Sequence, residues 1–132
     1  MSTLKVNTVQ HNTSGFNNVV QFTDGAGTQN GTLCRAWVNF NGQGTVAIRA
    51  DFNVNTVGDN GTGDYTVNFS SAIGNTTYSV VAGNSSTNTD LTGTSGFTEI
   101  GNLASGNYRL HFIERPTGST NDCGLMMSAV FS

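Results

Sequence analysis

Residues 34–69, CRAWVNFNGQGTVAIRADFNVNTVGDNGTGDYTVNF, decide the fold. Ala36, Val38 and Phe40 alternate with polar neighbours. So do Val46, Ile48, Ala50 and Phe52, and again Tyr65, Val67 and Phe69. Apolar residues at every second position suit a strand buried on one side, whereas a helix would scatter them round its axis. Asn41-Gly42-Gln43-Gly44 and Asp59-Asn60-Gly61-Thr62-Gly63-Asp64 separate the segments, and their glycines supply the positive φ of tight hairpins. The stretch is expected to form an antiparallel meander. A three-residue loop 42–44 sets Phe40 against Val46, Val38 against Ile48 and Ala36 against Ala50. Trp37 then lies beside Arg49 and Arg35 beside Asp51 on the other face.

Outward from this stretch the same rhythm continues. Leu4 and Val6, then residues 19–22, read as short strands, with an exposed loop at residues 24–32. Beyond residue 69, strands are expected at 78–82 and 97–100. Two more are expected on the alternations Tyr108, Leu110, Phe112 and Leu125, Met127, Ala129, Phe131. Residues 83–96 and 117–122 are polar and read as loops. No amphipathic helix appears. The expectation is an all-β chain: an antiparallel, jelly-roll-like β-sandwich over residues 33–132, preceded by an extended arm over residues 1–32.

Composition narrows the function. The 132 residues carry 17 glycines, one proline and eight phenylalanines, which fits hairpins around a real core and argues against disorder. Charged residues make up 10%, well below the roughly 25% of ordinary globular proteins, so Asn, Thr, Ser and Gly dominate the surface. Such a surface suits subunits that pack closely. The net charge of −3, with no basic run, speaks against nucleic-acid binding. No apolar segment is long enough for a spanning helix, and the N-terminus lacks the apolar core of a secretory signal.

Two segments, AWVNFNGQGTVAIRADFNV and DNGTGDYTVNFSSAI, resemble a module of tail-fibre and related virion proteins of phages that infect marine bacteria and cyanobacteria. The opening MSTLKVNTVQ and the closing LMMSAVFS are similar to parts of the same proteins. The resemblance covers residues 1–8 and about 34–81. It is specific at residues 36–40, 46–49 and 59–69, all strand and turn positions. It implies a non-enzymatic virion component, assembled in the host cytoplasm as a homo-oligomer, most simply a trimer. The tail fibre or host-attachment module is the first expectation, with other virion proteins and a host-surface glycan or receptor as partners. A capsid decoration protein that stabilises the head is the alternative.

The residues themselves carry no catalytic motif. The 59–64 loop alternates carboxylate, amide and glycine like a calcium loop, but its twelfth position is Ser70 where a carboxylate is needed. His111 shares a face with Arg109 and Ile113 and has no serine or cysteine in an elbow motif beside it. Glu99 with Glu114, or Asp51 with Asp64, would serve a glycosidase only at a fixed separation across a cleft. Cys34 and Cys123 read as two free thiols, since cytoplasmic assembly is reducing. No metal or cofactor is expected. The candidate interface residues are Leu4, Val6, Val19, Val20, Phe22 and Trp37, the last either packing on a neighbour or stacking on a sugar ring. The candidate recognition residues are Asn84, Asn88 and Asp90 in one polar loop and Thr120 and Asn121 in the other.

Overall fold

The computed structural model describes residues 19–24, 27–85, 96–115 and 117–132, which form ten strands and no helix. Two units divide the chain, Met1–Leu33 and Cys34–Ser132. In the first, β1 (Val19–Asp24) pairs antiparallel with β2 (Gly27–Thr32), from Val19 opposite Thr32 to Asp24 opposite Gly27. The polar run GTQNGT, expected as loop, is therefore a strand. Ladder hydrogen bonds to β1 outweigh its weak intrinsic β-preference. Leu4, Val6 and His11 lie outside the described residues.

The second unit is a β-sandwich. One sheet has the order β4-β3-β10-β7, built from β3 (Cys34–Asn41), β4 (Ala47–Phe52), β7 (Ser79–Ser85) and β10 (Leu125–Phe131). The other has the order β5-β6-β9-β8, built from β5 (Val54–Gly61), β6 (Asp64–Phe69), β8 (Gly96–Ala104) and β9 (Asn107–Glu114). All pairings are antiparallel. Residues 34–69 are thus two hairpins in different sheets and not one meander. Asn53, at φ 56°, turns the chain from β4 into β5, and its amide ties Arg35 and Ser71 carbonyls across the corner. Asparagine tolerates this left-handed conformation better than most residues.

The core lies between the sheets. Ala36, Val38, Phe40, Met126 and Val130 on one side meet Tyr65, Val67, Phe69, Tyr108, Leu110 and Phe112 on the other. Aromatic pairs bridge the layers, with Phe40 edge-on to Tyr65 at 5.2 Å. The expected inward faces of β3, β6 and β9 are the buried ones.

Two further expectations are overturned. The β3–β4 register places Phe40 opposite Ile48 and Asn41 opposite Ala47, so the connection is longer than three residues. A bulge then leaves Arg49 without a ladder partner and sets Asn39 opposite Ala50, Val38 opposite Asp51 and Trp37 opposite Phe52. An extra residue reverses alternation, so Ala50 and Phe52 are exposed while Ile48 is half-buried. Arg49 reaches the Gly124 carbonyl (2.6 Å) instead of Trp37. The cation–π contact found is Arg115 over Phe97, 5.3 Å from the ring centroid. In β10 the buried residues are Met126, Ser128 and Val130, the set out of phase with the expected Leu125, Met127, Ala129 and Phe131. Both faces of that strand are largely apolar, so periodicity alone does not choose between them.

Candidate functional site

The two outer faces of the sandwich differ in chemistry. On β4-β3-β10-β7 a row of paired residues crosses all four strands: Phe52, Trp37, Ala129 and Val81. The next row is Ala50, Asn39, Met127 and Gly83. Trp37, Phe52, Val81 and Met127 are 39, 53, 64 and 42% exposed, four of the seven large apolar side chains displayed by the described residues. Ala129 and Gly83, small and set among larger neighbours, leave a trough of about 430 Å³ between Trp37, Met127 and Val81. Asn39 lines it, and its buried Oδ1 has no hydrogen-bond partner among the described residues. These two rows hold no charged residue, and alternating polar residues would be the ordinary pattern of a solvated sheet face.

The opposite sheet presents a polar face. Asp64, His111 and Glu99 are successive partners across β6, β9 and β8. Arg109 lies two residues from His111 on the same face and grips the Asp64 carboxylate with two hydrogen bonds, Nε to Oδ1 at 2.8 Å and Nη2 to Oδ2. Asn60 donates a third (3.3 Å), and His111 Nε2 stands 3.7 Å from Oδ2. Burial works against the Asp64 charge. The Arg109 and Asn60 hydrogen bonds and the nearby positive charge outweigh it and hold the carboxyl below its ordinary range. The hydrogen bonds to Asp64, and then its charge, raise Arg109. A depression of about 210 Å³ opens here, lined by Asp64, Glu99, Ile100, Gly101, Asn102, Arg109 and His111.

This clustering was not read from the sequence. The carboxylate pairs considered there are kept apart. Asp51 and Asp64 belong to different sheets, and Glu99 and Glu114 have opposite parity on their paired strands, with Glu114 accepting from Asn121 (3.3 Å). The pairs that do form depend on long-range strand order, for which local sequence carries no signal.

The recognition candidates fall in ordered places. Asn84 belongs to β7, and its amide donates to Thr98 Oγ1 (2.7 Å), clipping one sheet to the other. Asn88 and Asp90 lie outside the described residues. Thr120 bridges Ile113, and the 117–122 segment is fixed by Glu114 N–H to the Ser119 carbonyl (2.8 Å). Its end is anchored by Asp122, whose Oδ1 accepts from the Gly63 N–H (2.8 Å) and from the Tyr65 hydroxyl (3.2 Å). Val19, Val20 and Phe22 lie in β1. Cys34 and Cys123 are free thiols, the first half-buried and the second buried. Among the described residues no group of three His, Cys, Asp or Glu side chains is placed to hold a metal ion.

No protein-family model matches this sequence, and comparison with characterised proteins and with solved structures gave no match.

Proposed function

We propose that this chain is a non-enzymatic structural protein of a phage virion, a tail-fibre or host-attachment module that works as a homo-oligomer. The observation that carries the reading is the pair of uncharged, largely apolar rows on the outer face of β4-β3-β10-β7, with Trp37, Phe52, Val81 and Met127 all open. A monomer in water has no use for such a face, whereas subunits in an assembly bury it. The knob of Trp37 and the trough over Ala129 and Gly83 occur on one surface, so neighbouring copies can interlock. The resemblance of residues 34–81 to tail-fibre modules supports the virion setting. The Asp64 carboxylate, neutralised by Arg109, is poorly suited to general acid–base work, which supports a non-enzymatic role.

Light scattering of the purified full chain is expected to give a trimer, and Trp37→Lys with Phe52→Lys to give monomers of unchanged secondary structure. A wild-type monomer at micromolar concentration overturns the assembly reading. Immunogold labelling of phage particles that encode the chain is expected to mark the tail. Labelling spread over the head would instead identify a capsid protein.

A further inference from the structure

We propose that the depression on the β6-β9-β8 face binds one neutral sugar unit through adjacent hydroxyls. The assignment rests on this pocket alone and stands whether or not the chain belongs to a virion.

The polar groups around the pocket divide into those already committed and those not. Asp64 is committed to Arg109 and Asn60. Glu99 and Asn102 have no hydrogen-bond partner among the described residues, and His111 has only the long approach to Asp64. Glu99 offers acceptors alone, Asn102 offers both kinds, neutral His111 offers one of each, and the guanidinium of Arg109 keeps outward N–H donors. A site with unspent donors and acceptors side by side suits a ligand that carries the same mixture on neighbouring atoms. A vicinal diol does, because each hydroxyl donates once and accepts twice.

The backbone supports the arrangement. Gly101 stands opposite Arg109, and a Cβ added there would meet no atom within 4 Å, so the space beside the guanidinium is open. Immediately after it the β8–β9 register shifts, and Asn102 takes φ 49°. Bulges of this kind re-aim a side chain, here into the rim of the depression. The remaining groups project from three hydrogen-bonded strands, and the Arg109–Asp64 fork fixes one wall before any ligand arrives.

Other ligand classes fit less well. Two carboxylates against one guanidinium disfavour an anion. No aromatic wall is present for an apolar ligand. At about 210 Å³ the space is below the 300 Å³ or so where pockets for drug-sized molecules begin, so one small unit is the occupant.

The test is a titration of the ¹⁵N-labelled full chain with glucose, galactose, mannose and N-acetylglucosamine, followed by amide chemical shifts. Affinity on the order of 1 mM is the scale that a few hydrogen bonds at an open site give. At least one sugar is expected to shift the amides of Glu99, Gly101, Asn102 and His111. Glu99→Ala and Asn102→Ala should each weaken that response about tenfold without moving the melting temperature. The proposal is overturned if none of the four sugars shifts these amides, if the shifts cluster elsewhere, or if Glu99→Ala binds as well as the parent. Inorganic phosphate and methylammonium serve as charged probes, and a response to either in place of the sugars also overturns it.

Discussion

The Tyr108 hydroxyl in β9 and the Ser128 hydroxyl in β10 meet 2.6 Å apart between the two sheets, both residues almost entirely buried. This one polar contact joins the sheets through their central strands, and burial pushes the Tyr108 phenol up to about 12 despite it. Tyr108→Phe leaves the serine unpaired and is expected to cost about 1–3 kcal/mol in urea denaturation. Ser128→Ala should cost a similar amount. The double variant should lose clearly less than the sum, because both partners of one bond are then gone.

Turn glycines should divide by surroundings. A Cβ on Gly63 would lie 2.6 Å from the Asn121 carbonyl oxygen and 2.9 Å from its nitrogen, backbone atoms that cannot step aside, and its φ is +69°. Gly44 has nearly the same φ, +63°, but faces open space. Gly44→Ala is expected to cost about 1 kcal/mol from left-handed strain alone. Gly63→Ala should lower stability severalfold more, read as a larger fall in melting temperature.

Cys123 gives an alkaline signature. Burial, and then the neighbouring Asp122 charge, push its thiol up to about 12 from an ordinary 9.0. Tyr108 is raised as well, chiefly by burial. A raised acid holds its proton in the folded chain after the unfolded chain has lost it, so its contribution is complete below pH 9 and declines as pH rises from 9 toward 12. Stability should fall over that window, and Cys123→Ser should fall less steeply. A thiol reagent at pH 8 should spare Cys123 until denaturant is added.

The Asp64–Arg109 pair acts at the other end of the scale. The Asp64 pKa is depressed, so its contribution is present above the ordinary 3.8 and is lost as pH falls through the lower folded value. Arg109 is 42% exposed, so solvent screening limits the gain. Arg109→Met is therefore expected to lower stability only slightly at pH 7. The difference between variant and parent should shrink as the pH falls below 3.8, measured by thermal melts.

What the residues disclosed depended on whether one face was apolar and the other polar. Ala36-Val38-Phe40, Tyr65-Val67-Phe69 and Tyr108-Leu110-Phe112 meet that condition, and their buried sides were legible. LMMSAVF has apolar residues at both parities, so its inward face was decided by the neighbours on β3 and β7. The bulge at Arg49 has no local marker, because the alternation Val46, Ile48, Ala50, Phe52 continues through it in sequence while the ladder shifts by one residue. Residues 54–61 form a strand although Asn, Thr, Gly and Asp fill most of it, since an edge position asks little of its side chains. The polar row Asp64, His111, Glu99 joins residues up to 47 apart in number through strand order alone.

The sandwich unit begins with β3 and closes with β10, and these two strands lie side by side in the middle of one sheet, with Cys34 opposite Phe131. During synthesis β3 waits with an open edge, and β7 has no sheet to join, until residues 125–131 have left the ribosome. Completion of the β4-β3-β10-β7 sheet is therefore a late event, because β7 joins β3 only through β10. Only chains translated through β10 complete the rows that set Trp37 beside Ala129 and Val81, and Asn39 beside Met127 and Gly83.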